Sequence, residues 1–201
     1  MNASVRELMT LFDLEQLENN LFRGQSQANG QQSVFGGLVA GQALLAASKT
    51  VPTDRSVHSL HAYFLRAGDF TKPIVYDVDR IRDGRSFTTR RVNAIQHGRP
   101  IFSLAASYQV EEEGVAHQVP MPEVAGPEGL ENDEAARQKL VARLPEQYRE
   151  AFLQDRPVEF RPVTPRDPIS SQPEPPLREV WFKVVDSVDA DPMTQRALLA
   201  Y

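Results

Sequence analysis

The chain has 201 residues, 41% of them hydrophobic and 24% charged, with a formal net charge of −5 and no cysteine. That balance suits a globular protein with room for a core. The acidity argues against a nucleic-acid partner, and the lack of thiols excludes disulfides, thiolate catalysis and cysteine-based metal sites. The longest apolar run is shorter than the ~18 residues that cross a bilayer, and the first residues lack the basic start and apolar stretch of a secretory leader. The expectation is a cytoplasmic protein with no membrane partner, no metal and no cofactor.

Taken in chain order, Leu8, Met9, Leu11 and Phe12 recur at helical spacing and predict a short amphipathic helix near the N-terminus. Leu21 to Ser26 reads as an edge strand and 27–33 as a polar loop. Val34 to Val51 is the most informative stretch. It reads as a helix that is apolar or small almost all the way round, with only Gln42 and Ser48 as polar interruptions before its end. A surface helix would show one apolar stripe and one polar face, so this one must be enclosed. The next sixty or so residues supply strands. Val57 to Arg66 alternates, with His58, Leu60, Ala62 and Phe64 on one face and Val57, Ser59, His61, Tyr63 and Leu65 on the other. After a turn at Ala67-Gly68-Asp69, Ile74 to Arg82 is a strand, Asp83-Gly84 signals a hairpin, Ser86 to Gln96 returns, and Ile101 to Val110 closes a meander beyond the turn at His97-Gly98.

Antiparallel strands joined by short turns need one covered face. A small-residue helix lying across a curved antiparallel sheet satisfies both elements, with Gly36, Gly37, Ala40 and Gly41 permitting close approach. This is an α+β layer arrangement. Only Pro52, Pro73 and Pro100 of the fifteen prolines precede Pro120. The domain reading is accordingly a first unit over 1–114, a linker with a helical pattern over 115–154, and the start of a second unit over 155–201. In that last part Val158 to Val163 and Arg178 to Val185 read as strands, Pro165 to Pro176 as irregular, and Pro192 to Tyr201 as a helix.

The runs LFRGQS at 21–26, VFGG with GQAL at 34–44, VHSLHAYFLRAGD at 57–69, IRDGRSFTTRRVNAIQHGRPIF at 81–102, DRPVEFRPV at 155–163 and VWFKV at 180–184 resemble, in order and spacing, the type II acyl-CoA thioesterases, the TesB-like double hotdog family. The resemblance implies a hotdog fold, a long helix wrapped by an antiparallel sheet, with one complete unit and the beginning of a second. It implies hydrolysis of fatty acyl-CoA to free acid and CoA, in fatty acid metabolism. It also implies a catalytic Asp, Thr and Gln contributed by the second unit, the Asp a few residues beyond a tyrosine that matches Tyr201. On that correspondence all three lie past Tyr201, so the 201-residue chain is expected to be inactive alone. The alternative is a non-catalytic acyl-CoA-binding or assembly module. A hydratase is disfavoured because no matching Asp and His motif is found.

Thioester hydrolysis needs a polarised carbonyl and an activated water. Gly36 and Gly37, where the helix begins, could supply free N–H groups to an oxyanion, or serve only close packing. His58 has the nominal titration range of a general base; a satisfied structural histidine is the plainer role. It and His61, three apart on a strand, are expected to face opposite sides and so not to share a metal. Gln42 cannot act as a base, and a hydrogen bond to the sheet is its expected role, although it lies about where an internal duplication would put the family's Asp. Arg91, with Arg80, Arg82, Arg85, Arg90 and Arg99, could meet the phosphates of CoA or form a solvated strand face paired with Asp77, Asp79 and Asp83. Unpaired sheet edges predict a homo-oligomer.

Overall fold

The computed structural model describes residues 1–27, 32–167, 173 and 175–201. The chain forms two compact units, one from 7–114 with 189–201, the other from 1–6 with 115–188. The polar loop expected over 27–33 and the irregular stretch expected over 165–176 lie partly outside the described residues.

The larger unit is built on helix α2, Gly36–Ser48, whose residues from Leu38 to Ser48 are buried except Ala40. The helix begins at Phe35, which is extended and gives no side-chain cap. It ends where the Thr50 hydroxyl and amide both bond to the Ala47 carbonyl, at 2.7 and 3.0 Å, just before Pro52. Ahead of it lie α1, Ala3–Phe12, and two short strands, β1, Glu15–Glu18, and β2, Leu21–Gly24. After it come β3, Arg55–Phe64, β4, Ile74–Asp83, β5, Phe87–Gln96, and β6, Arg99–Val110. The six strands are antiparallel in the order β1-β2-β4-β5-β6-β3.

The meander holds for β4, β5 and β6. The turn between β5 and β6 is a two-residue one in which His97 and Gly98 both take positive φ, 50° and 69°, the geometry that matches strand twist. Two expectations change. Leu21–Gly24 is not an edge, because β1 lies outside it, held by an Arg23 to Glu15 ion pair at 2.5 Å. Strand β1 is polar and has little strand propensity of its own; pairing with β2 makes it a strand. Strand β3 pairs with the far side of β6, so the connection 65–73 crosses back to reach β4.

The alternation of β3 is also broken. Val57 pairs with Tyr108 and Ser59 with Ser107, leaving His58 as an extra residue. Such a bulge sets two residues against one and reverses the facing of all that follow. His58 bonds to Ser107 Oγ at 2.9 Å, and His61 pairs with Ala105, two residues along the same strand. The two histidines therefore share the outer face, contrary to the expectation from their spacing.

The inner face is the core. Ile74, Tyr76 and Val78 of β4, Val92 and Ala94 of β5, and Phe102, Leu104, Ala106 and Tyr108 of β6 bury against Leu38, Ala43, Leu44 and Leu45 of α2. The side of α2 away from the sheet is covered by Leu8 and Phe12 of α1 and by helix α5, Pro192–Ala200. Asp191 caps α5, accepting from the Met193 and Thr194 amides at 2.8 and 3.1 Å, with proline in the first turn. Two glycines of α2 make this packing possible. A Cβ on Gly41 would lie 2.7 Å from the Phe12 ring and 3.1 Å from the Ala197 carbonyl, and one on Gly37 would overlap the Tyr201 carbonyl. Tyr201 meets Phe35 and Phe12 edge-on at 5.1 and 6.2 Å.

The smaller unit holds α3, Asp133–Leu140, a 3₁₀ turn, Val141–Arg143, α4, Glu146–Leu153, and a strand pair, β7, Val158–Pro162, with β8, Val180–Val184. Pro145 separates the helices as expected. Arg137 joins them, its guanidinium donating to the Phe152 and Gln154 carbonyls at 3.1 and 2.9 Å.

Replacing Gly41 by valine forces side-chain atoms between α2, Phe12 and α5. We expect a loss of about 1–3 kcal/mol in stability, read by urea unfolding with an unchanged slope; an unaltered midpoint would show that α2 and α5 do not pack at this distance.

Candidate active-site cleft

The first turn of α2 opens onto a cleft of about 360 Å³, lined by Ser33, Val34, Gly36, Val39, Phe64, Leu65, Arg66, Ala67, Gly68, Ile101 and Phe102. Its formation follows from how β3 ends. The Leu65 and Arg66 amides both bond to the Ile101 carbonyl, at 2.8 and 3.1 Å, which turns the chain off the sheet. The Val34 amide then bonds to the Gly68 carbonyl at 3.0 Å and ties the approach to α2 against the loop. Phe64 tilts over Phe102 with ring centroids 4.9 Å apart. A Cβ on Gly36 would sit 2.7 Å from the Phe64 ring, so only glycine leaves that ring its place. Arg66 lies at the mouth, donating to the Pro100 carbonyl at 2.7 Å.

Behind the cleft, Gln96 holds the loop. Its amide oxygen accepts from the Asp69 N–H at 2.8 Å, and its NH₂ donates to the Asp69 and Lys72 carbonyls at 2.8 and 2.9 Å. The Asp69 carboxylate accepts from the Thr71 hydroxyl and amide, at 2.7 and 2.8 Å, which holds it below the usual carboxylate range. His97 lies 3.2 Å from it.

The residues singled out from sequence scatter. Gly36 lines the cleft; Gly37, its neighbour in the first turn, faces Tyr201. Both glycines have a packing reason. Gln42 is 0% exposed and fully committed: its NH₂ donates to the Leu11 and Gln25 carbonyls at 2.6 and 2.9 Å, and its oxygen accepts from the Tyr76 hydroxyl at 2.6 Å. This is the hydrogen bond to the sheet that its position inside α2 requires. Burial pushes the Tyr76 phenol well above its ordinary value, and pushes Tyr108, bonded to Ser48 at 2.8 Å, up to about 12. His58 sits on the exposed outer face, bonded to Ser107 and edge-on to Phe87 at 5.8 Å, and does not line the cleft.

Arg91 does not line it either. It is exposed on the outer face and paired across strands with Asp79 at 2.8 Å, the solvated-face arrangement. Arg90 departs from its neighbours, since it points inward and is 1% exposed. Its five N–H groups reach the Thr50 hydroxyl and carbonyl, the Arg82 and Thr89 carbonyls and the Asp83 carboxylate, at 2.6 to 3.1 Å. It fastens the end of α2 to the β4–β5 hairpin. Strand alternation alone could have found this, because Arg90 shares parity with Thr88, Val92 and Ala94. Sequence reasoning missed Phe64 and Arg66 as lining residues. Their signal was position, at the point where the alternating run meets Ala67-Gly68-Asp69.

The family model for the acyl-CoA thioesterase N-terminal domain matches residues 25–109. Acyl-CoA thioesterase 2 of Haemophilus influenzae is 41% identical over 201 residues, which is 100% of this chain and 70% of that protein. The chain belongs to the acyl-CoA thioesterase family. Human acyl-coenzyme A thioesterase 8 is 40% identical over 181 residues, covering 87% of this chain and 57% of that one. Among solved structures, the acyl-CoA thioesterase II TesB2 from Mycobacterium marinum superposes with a TM-score of 0.71 at 40% identity, over 96% of this chain and 66% of that chain. The α+β hotdog architecture expected from the sequence is the fold of these thioesterases. The chain thus spans somewhat over half to about two thirds of the relatives it matches.

The opening N–H groups of α2 carry no side-chain cap and can receive developing negative charge. Among the described residues, no carboxylate or imidazole lines the cleft. Gln42 gives a direct test of whether a carboxylate is tolerated inside α2. In Gln42→Glu the new group faces two carbonyl oxygens without water, so its folded-state pKa is raised. Its uncharged form is the one the fold tolerates, so stability is held below the pKa of an unfolded glutamate, ~4.3, and lost as pH rises through the higher folded value. We expect a loss of about 2–4 kcal/mol at neutral pH, partly recovered in acid, from urea midpoints at both pH values. Wild-type stability at neutral pH would contradict the structural role of Gln42.

Proposed function

We propose that this chain provides the scaffold and one wall of the acyl-CoA site in a thioesterase that hydrolyses fatty acyl-CoA to free acid and CoA. The observation that carries the reading is the cleft at the first turn of α2, in a chain of this family. In this reading the N–H of Gly36, in the cleft lining, receives the thioester oxygen as it gains charge, and Gly37 serves the close packing against Tyr201. Arg66 meets the phosphate-bearing part of CoA; Arg91, already paired with Asp79, is the weaker candidate for that contact. His58 and Gln42 act structurally. The water-activating group comes from outside the cleft lining.

Residues 1–114 form the first hotdog repeat, 115–154 a linker, and 155–201 belong by descent to a second repeat, whose helix α5 packs on α2. The open edges of the sheet, at β1 and β3, favour assembly with further sheet, in a homo-oligomer. Among the described residues no helix is long and apolar enough to cross a membrane, and we place the protein in the cytoplasm, in fatty acid metabolism.

The test is calorimetry of the 201-residue chain with a thioether analogue of palmitoyl-CoA, beside a hydrolysis assay with palmitoyl-CoA itself. We expect saturable binding without enzyme-like turnover. Absence of heat at millimolar analogue would overturn the site, and turnover in the ordinary range of enzymes, ~1 s⁻¹ or faster, would overturn the claim that the activating group lies elsewhere.

A further inference from the structure

The cleft is uneven in how firmly its walls are held. Val34, Val39, Ile101 and Phe102 form its apolar floor and are buried in the core; Phe102 is 1% exposed. Phe64 is the opposite case. It is 66% exposed, it is the last residue of edge strand β3, and it rests on Gly36 and Phe102 with solvent on its other side. A core side chain is fixed by its neighbours on all sides, whereas an exposed ring changes rotamer on the picosecond to nanosecond scale. Phe64 is therefore the aromatic wall of the cleft that can move without disturbing the core; Leu65, also in the lining and exposed, is the smaller neighbour beside it.

Among the described lining residues, the polar side chains are Ser33 and Arg66. A polar arm with amide groups would leave those groups unpaired against Val39, Ile101 and Phe102, at a desolvation cost. An aliphatic chain pays no such cost and gains from every methylene removed from water. The floor thus fits the acyl part of the ligand, while Arg66 at the mouth fits its anionic part.

We propose that Phe64 selects the acyl chain, its ring closing the cleft over short chains and swinging aside for longer ones. This rests on the reading of the cleft as an acyl-CoA site. Gly36 is part of the device, since any side chain there would occupy the volume of the Phe64 ring and fix it outward.

The experiment uses the full chain, its Phe64→Ala and Phe64→Trp variants, and Tyr63→Ala as a control on the outer face. Each is titrated calorimetrically with CoA and with thioether analogues of butyryl-, octanoyl- and palmitoyl-CoA. Phe64→Ala should raise the palmitoyl-to-butyryl affinity ratio by about tenfold, the scale of apolar-pocket discrimination, and Phe64→Trp should lower it. CoA affinity and the Tyr63→Ala ratios should stay at the parent values. Equal ratios in the parent and both Phe64 variants would overturn the assignment of Phe64 while leaving the acyl-CoA site in place. Failure of the parent to bind any analogue would overturn both.

Discussion

A helix with no polar face cannot be left beside water, and most of the larger unit follows from that. Helix α2 is buried along nearly its whole length. One side is met by the inner faces of β4, β5 and β6; the other is met by α1 and α5. Small residues make the second contact possible. Gly37 and Gly41 bring the Tyr201 and Ala197 carbonyls within the space a side chain would need. Close packing of this kind is sensitive to single methyl groups, so the position of α2, and with it the cleft at its first turn, is set by how tightly it is enclosed.

Enclosure has an electrostatic cost, and the buried polar groups show how it is met. Gln42 within α2 is paired with two backbone carbonyls and a tyrosine. Ser48 is paired with Tyr108. Arg90 spends every N–H group on the end of α2 and the β4–β5 hairpin. An unpaired group at any of these sites would cost more than its bond contributes. The same groups fix register: Gln42 sets the middle of α2 against β4, and Arg90 sets its C-terminal end against β5. Between them the first turn of α2 is presented to the loop that leaves β3.

Much of this was legible in the sequence, because apolar periodicity and turn chemistry are local. The all-apolar helix at Val34 to Val51, the Asp83-Gly84 hairpin, the His97-Gly98 turn and the break at Pro145 all read directly. Two of the runs that carried the family resemblance, at 34–44 and 81–102, lie in these same elements. What escaped is non-local. Strand β1 exists only because β2 offers it an edge. The bulge at His58 reverses the facing of β3, and nothing in the run VHSLHAYF announces it. Arg90 looked like one of a solvated set until pairing placed it among inward residues. The cleft is assembled from the end of β3, the start of α2 and β6, segments far apart in the chain, so Phe64 and Arg66 became lining residues only once the crossover connection was seen.

Helix α2 is the enclosed centre of its unit, and the residues near the cleft are organised around it. Native-state hydrogen exchange tests this most directly, since amides in a cooperative core open only with the whole fold. The amides from Leu38 to Ser48 should exchange last, at the free energy of global unfolding, together with those of β5. Exchange of α2 by local opening, at rates like those of the exposed β1 edge, would contradict it.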